Sequence, residues 1–523
     1  MAKRSLVLLM ILCVVFMGCA NGIDSVGDVD FDTDIVIVGG GIAGVSAALA
    51  AAQQGADVIL VEKREAIGGA SALGGGGLGA TGSVVQKKYG ITDTPKAWVD
   101  MFYMRADQSK APYRNMSFPV RSDLEWLVDE SVHIIDWLSE LGMTFGRPWE
   151  LGLDLAARYH SINNKGYISG GGVVRFIAEH ATELGVDIRV ETKAVKVLQT
   201  RGPGSRVIGI ELEDGSKIYA KAVILAAGGF TSDLNKYING KELVYSPFSP
   251  ALSTFLFGEG IDMAVAAGGV LWEDPWANGV GVKQGLTLEG LSELEKTDQG
   301  MYVDSSGARV GFEGGNTGIL TNYAMFAQKD GGRLFAIISD AHATPAQEQL
   351  NSGRVFKGST IAELASNAGI NAAKLQSEVS AYNGICDAIN ALNAANAPDE
   401  AYKGVDPLDK YEDANTNPNK EPPTIRPNET RKTYVKIEGP AFYALEMIPD
   451  ICLTFGGVKT KTGTAEVLDK DNLNRVIPGL YAAGENANRN FYDKVYMSGS
   501  ATMQAAATGR AAGMAAAAYA AAK

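Results

Sequence analysis

Cysteine and histidine are scarce in this chain: four of each in 523 residues. The cysteines are Cys13, Cys19, Cys386 and Cys452. No two of them form a C-x-x-C pair. That excludes an iron–sulfur cluster and a covalently attached haem, and no metal site is expected. Nothing in the spacing of Cys386 and Cys452 gives a reason to pair them. Basic charge is in deficit. The formal net charge is −13, which argues against nucleic acid as a partner and leaves no basic patch for anionic lipid. The N-terminal apolar run, Leu6 to Met17, is too short to span a bilayer comfortably. No internal repeat is detectable. What the chain has in quantity is glycine, 62 residues, and many of these cluster in loops suited to close backbone approach.

The most informative cluster lies between residues 34 and 63. Asp34 to Val38 is β-branched and apolar, as a buried parallel strand should be. It runs into Gly39, Gly41 and Gly44, spaced G-x-G-x-x-G with Ile42 among them, then a helix from Ala43 to Gln54. A second strand, Val58 to Val61, ends at Glu62 and Lys63. This is a βαβ unit carrying the full dinucleotide fingerprint. Gly39 serves the tight turn, Gly41 admits a pyrophosphate and Gly44 lets helix and strand approach. The helix N-terminus offers N–H groups to phosphate, and Glu62 is placed for ribose hydroxyls.

Upstream, Lys3 and Arg4 precede the apolar run, and Phe16-Met17-Gly18-Cys19 follows the pattern of a bacterial lipoprotein cleavage box. Residues 1–18 are therefore expected to be a lipoprotein-type signal peptide. Cys19 becomes the lipidated terminus, and residues 19–31 form a flexible tether to a membrane. An ordinary secretory signal cleaved nearby is the alternative. Both place the protein outside the cytoplasm.

After Lys63 comes Ile67-Gly68-Gly69-Ala70-Ser71-Ala72-Leu73, then Gly74 to Gly77. Here the sequence resembles the flavoprotein subunits of fumarate reductases and succinate dehydrogenases. The resemblance implies that Gly69, Ala70, Ser71, Gly75 and Gly76 run along FAD. No histidine occupies this loop, so the FAD is expected to be non-covalent. The likeness continues through Ala194, where the family's backbone meets adenine, and Ala226-Ala227-Gly228-Gly229, the strand returning under the cofactor. Phe257 to Ala264 matches a turn and helix of the family. Ile477 to Glu485 matches the last FAD strand, with Gly484 and Glu485 at the ribityl chain. Ser500, Ala501 and Thr502 open a helix expected to face the flavin.

The implied fold class is α/β: a Rossmann-like FAD-binding domain, residues 32–245 and 445–523, with an inserted α+β capping domain at 246–444. Surface loop is expected around Asn396–Asp399 and Pro418–Pro427, and helices over 122–142 and 173–184, the latter after a glycine turn at Gly170–Gly172. Of the histidines, only His160 falls near the expected site. His133 reads as a packing or surface residue.

The family's dicarboxylate-binding groups are missing. Leu453 stands at the histidine position, Tyr496 at the arginine position, and Thr317 where the proton-donor arginine is expected. Without its bidentate partners a buried dicarboxylate is costly, so fumarate is not the expected substrate. Residues 496–502 are locally similar to 3-ketosteroid Δ1-dehydrogenases, in which a tyrosine at this position polarises a ketone. The expected catalytic group is Tyr496, with Asn316 and Thr317 as further candidates for substrate hydrogen bonds. The leading expectation is a reductase transferring a hydride from FAD to the activated C=C bond of a small-molecule substrate. A separate haem or flavin carrier protein would supply the electrons. A dehydrogenase of a ketone-bearing ring compound, and a non-catalytic flavin-binding lipoprotein, are the alternatives.

Overall fold

The computed structural model describes residues 29–108, 115–150, 156–238, 249–250, 255–284, 300–310, 324–325, 327, 332–340, 350, 353–402, 404–407, 434–494, 496–497 and 499–523. The leader, the tether up to Val29, Asn316, Thr317, His342 and the loop at 418–427 lie outside them.

The chain forms two principal sheets. The first begins with β1 (Thr33–Val38). It pairs in parallel with β2 (Val58–Val61), Ile35 opposite Val58. The connection is helix α1 (Ile42–Gln53). Its remaining strands are β5 (Asp187–Arg189), β6 (Ala194–Gln199), β7 (Val207–Leu212), β8 (Lys217–Leu225), β15 (Glu466–Asp469) and β16 (Asn472–Ala482). The order is β15-β16-β8-β1-β2-β5, with β7 and then β6 added beyond β8. Alternation along β1 divides the core, as a period of two requires. Ile35 and Ile37 join the cluster under α1, and Val36 and Val38 the cluster on the opposite face.

Three elements refine the sequence reading. Lys217 to Leu225 forms one strand, β8, which pairs with β7 at its start and with β1 at its end. A single strand thus carries the antiparallel insert into the parallel sheet. Helix α2 spans Arg121–Glu140. Helix α3 runs Ser169–Glu183, so the three glycines expected as a turn lie inside it. Contact with the loop that precedes them explains this: a Cβ on Gly170 would meet Ser71 O at 1.8 Å. These glycines serve close packing.

The second sheet lies between β8 and β15 in chain order. Its spine is β14 (Phe442–Phe455), fourteen residues long. This strand is antiparallel to β10 (Trp276–Gln284), β12 (Leu334–Ser339) and β13 (Val355–Gly358), and parallel to β9 (Ser249–Pro250). The strand β11 (Gly300–Asp304) pairs with β12. Residue 445, where return to the first domain is expected, falls inside β14. Helix α4 (Glu259–Ala266) lies between β9 and β10 in the chain. Helix α5 (Ala372–Ala394) covers one sheet face through Leu375, Val379, Tyr382, Cys386 and Ile389. Cys386 and Cys452 are buried free thiols.

The last helix, α6 (Ser500–Ala521), returns to α1. Gly509 and Gly513 make the approach: Cβ atoms there would stand 2.2 Å from the carbonyl oxygens of Ala43 and Ala47. No helix among the described residues is long and apolar enough to cross a membrane.

Candidate functional site: a dinucleotide cleft with a tyrosine end

A cleft of about 850 Å³ opens at the carboxyl ends of β1, β8 and β16. This is where an open α/β sheet presents its ligand crevice. Gly39, Gly41, Ile42 and Ala43 line it, as do Glu62, Lys63, Gly69, Ala70 and Ser71. So do Ala194, Ala227, Gly228, Gly484 and Glu485. These residues, spread over the whole sequence, converge on one cavity.

The three fingerprint glycines do different work. A Cβ on Gly39, which sits at φ +109°, would meet Ala226 O at 2.4 Å, and one on Gly44 would meet Gly39 O at 1.8 Å. Both positions are filled by protein backbone. A Cβ on Gly41 would find nothing nearer than Ser71 Oγ at 3.6 Å, so that side faces open cleft at the N-terminus of α1. The opening suits a pyrophosphate beside helix N–H groups. Ser71 Oγ accepts from Ile42 N at 3.2 Å, tying the second glycine loop to the same helix end. Buried Glu62 accepts from Gly40 N at 2.8 Å and Arg64 N at 2.9 Å. Its carboxylate therefore fixes the loop as well as facing the cleft. Lys63 pairs with Glu259 at the start of α4 and donates to Phe255 O at 2.7 Å.

Cleft-lining residues not anticipated from sequence include Thr192, Lys193, Phe255, Leu256, Glu259 and Ala505. The match at Phe257–Ala264 was the signal that could have found Glu259. Seven expected site residues among those described do not line the cleft, Tyr496 among them. Gly44 is a packing residue. The Cβ position of Gly75 is blocked by Tyr159 Oη at 2.8 Å, and that of Gly76 by Gly170 N at 2.3 Å. Buried Ser500 donates to Met497 O, and half-buried Ala501 and Thr502 sit beside it in the first turn of α6.

At the far end, Thr454 on β14 donates to Glu485 Oε2 through its hydroxyl (2.8 Å) and its backbone N–H (3.1 Å). Burial nevertheless outweighs these bonds and pushes the Glu485 carboxyl up to about 7. Beyond Thr454 lie buried Leu453 and Cys452. Half-buried Tyr496 accepts from Gly499 N at 3.0 Å. Burial, with Tyr492 and Cys452 nearby, holds its phenol well above its ordinary pKa, so Tyr496 is neutral and its proton is available to an acceptor. Tyr492 stacks on Phe455 at 4.6 Å. Tyr159, also missed from sequence, accepts from Gly77 N at 3.0 Å and lies against Gly499.

His160 is not part of this end. Its Nδ1 faces Arg158 O at 2.7 Å and Leu78 O at 3.1 Å, and Nε2 faces Ser83 Oγ at 2.8 Å. Two carbonyls at Nδ1 require the proton there, so Nε2 accepts from Ser83. Burial pushes the imidazole down to about 4. It is a neutral packing histidine holding β4 (Tyr159–His160) to β3 (Leu78–Gly79). His180 bridges Phe176 O and Leu141 O, and His133 is exposed. No cluster of metal-ligating side chains occurs among the described residues.

A Rossmann-like sheet, a glycine fingerprint whose central member opens on a cleft, and a second glycine loop on the same helix end define a dinucleotide-dependent oxidoreductase. The sequence comparisons name the dinucleotide. Residues 34–503 match the FAD binding domain family, and the chain belongs to it. It is an FAD-dependent oxidoreductase. Urocanate reductase of Eggerthella lenta is 28% identical over 484 residues, covering 87% of this chain and 70% of that protein. Fumarate reductase (cytochrome) of Shewanella frigidimarina is 28% identical over 469 residues, 86% and 71%. The same fold occurs in 3-ketosteroid-Δ4-(5α)-dehydrogenase of Rhodococcus jostii, with TM-score 0.66 and 24% identity over 94% of this chain and 98% of that one.

Proposed function

We propose that this protein is a reductase acting on the activated C=C bond of a neutral or aryl-bearing organic acceptor other than fumarate. The observation that carries the reading is the pairing of Tyr496 with Gly499 together with the buried, apolar Leu453, at the positions where the resembling reductases place arginine and histidine. Bound FAD supplies hydride chemistry, and the protein supplies orientation and electrostatics. Gly41 and the N-terminus of α1 take the pyrophosphate, and Glu62 and Glu485 take ribose and ribityl hydroxyls. Tyr496, fixed by the Gly499 N–H, gives its own proton in a hydrogen bond to an acceptor carbonyl as charge develops there. Leu453 excludes water and disfavours a second carboxylate.

The leader pattern supports an extracytoplasmic, lipid-anchored protein fed by a separate haem or flavin carrier, a haem-linked donor being in keeping with the cytochrome-type relative. Cys19→Ala is expected to release the protein from the membrane fraction or block its processing. Unchanged membrane association and N-terminal mass would remove the anchor.

The function is tested by anaerobic reoxidation of dithionite-reduced protein against urocanate, acrylate, 4-vinylphenol, cyclohexenone and fumarate. Reoxidation by a neutral or aryl acceptor, with fumarate inert, is the expected result. Efficient reoxidation by fumarate would overturn the reading. The tyrosine also fits a dehydrogenase of ring ketones. Bleaching of the oxidised flavin by a saturated cyclic ketone, with no acceptor active, would favour that alternative.

A further inference from the structure

Tyr496 is reached along one stretch of backbone, Arg489 to Lys494, and two of its cations converge on a carboxylate from the approach to β10. We infer that Asp274 is a positioning residue for Tyr496. By engaging Arg489 and Lys494 together it fixes the segment from which the phenol projects, and so sets where that phenol meets an acceptor. The inference rests on the role given to Tyr496 above.

The geometry is explicit. The backbone oxygen of Asp274 accepts from Arg489 Nε at 2.6 Å. Its Oδ2 accepts from Arg489 Nη2 at 3.2 Å, Lys494 Nζ at 3.1 Å and Asn115 Nδ2 at 2.8 Å. Arg489 is fully buried over the Phe118 ring at 3.7 Å, and it also donates to the carbonyls of Tyr492 and Asp493. Lys494 is buried over Trp276, and its carbonyl accepts from Asn278 Nδ2 at 2.9 Å. Residues 274–278 therefore hold Lys494 by side chain and main chain at once. Asp274 adopts φ +52°, a conformation uncommon for a non-glycine residue and kept where the surroundings over-determine it. Removing the carboxylate takes one partner from each of two buried cations, while Arg489 keeps Asp493 Oδ1 at 3.8 Å; Lys494 lies two residues before Tyr496. Neither cation lines the cleft, so the cluster acts through position.

The test uses full-length, FAD-loaded protein carrying Asp274→Asn, with Lys494→Met as a second variant that removes one arm while keeping the carboxylate. Amide hydrogen exchange is expected to rise on the order of ten-fold or more in peptides spanning 489–499, with 39–47 as protected as in the parent and FAD content unchanged. Reoxidation by the panel acceptor most active on the parent is expected to slow about ten- to hundred-fold. The effect should be non-additive with Tyr496→Phe, so that the double variant is no slower than Tyr496→Phe alone. Exchange unchanged at 489–499, or raised equally everywhere, would overturn the positioning role, as would additive rate losses. If Tyr496→Phe alone reacts at the parent rate, the functional reading of Tyr496 fails, and local exchange still decides whether Asp274 orders the segment. Should Asp274→Asn not fold, Lys494→Met decides by the same readings.

Discussion

The nucleotide cleft is a backbone structure, whereas the group around Tyr496, beyond the residues that line it, is made of side chains. The first is shaped by what glycine leaves out: room at Gly41, and contacts at Gly39 and Gly44 that no Cβ could share. The second is shaped by hydroxyls and a carboxyl, Tyr496, Thr454 and Glu485, whose protonation and reach define it. A backbone site answers to substitution all or none. A side-chain site answers in rate and in pH. Three experiments set the two ends against each other, and a fourth uses a packing histidine outside both.

The largest effect is expected at the glycines. Gly41→Val should fold and purify colourless, since its side chain occupies the open cleft. Gly44→Ala should be destabilised by about 1–3 kcal/mol or more, because its Cβ meets backbone at 1.8 Å. Thermal melting and absorbance near the flavin band separate the two. Full FAD content in Gly41→Val would break the division of labour among the glycines.

Tyr496→Phe should keep its yellow colour and slow reoxidation by acceptor on the order of 10²–10³-fold, as loss of one hydrogen-bond donor to a developing oxyanion does. Stopped-flow absorbance checks it, and an unchanged rate would remove Tyr496 from the chemistry.

The third effect is a pH slope. Glu485 has a folded pKa raised to about 7, above its ordinary 4.5. Its contribution to stability is thus fully present below about 4.5 and lost as pH rises through 7. In FAD-free protein the melting temperature should fall over that window relative to Glu485→Gln. Parallel curves for the two proteins would contradict the assignment.

The smallest effect has the opposite sign. His160, lowered to about 4 from 6.5, contributes stability above 6.5 that is lost as pH falls towards 4. His160→Gln should flatten the acid limb of the melting curve and leave reoxidation unaltered above pH 7. A variant with the parent's acid limb would mean that the imidazole is not held neutral.

The same contrast governs what the sequence could reveal. The nucleotide end was legible because its elements are consecutive, from Thr33 to Lys63, and its chemistry is carried by spacing alone. Order within the fingerprint already separated Gly41, which faces the cleft, from Gly44, which packs. Lys193, Phe255 and Ala505 were missed because they reach the cleft only through tertiary packing. The glycines at 170–172 looked like a turn because intrinsic propensity disfavours them in a helix; contact with the Ser71 loop decided otherwise. Tyr496 was found through resemblance. Tyr159 was not, since only the pairing of β3 with β4 brings it against Gly77. Asn316 and Thr317 lie outside the described residues.

The packing of α6 on α1 bears on the order in which the molecule matures. Ala43 and Ala47 meet Gly509 and Gly513 across almost the full length of the chain, and β16 must also arrive before β8 has both its parallel neighbours. Closing so long a loop is slow, and the ordering cost precedes any return from the contacts. The fingerprint helix is therefore covered only after the C-terminal helix docks. FAD capture belongs to the last stage of folding, and refolding protein should recover its helical signal before its colour.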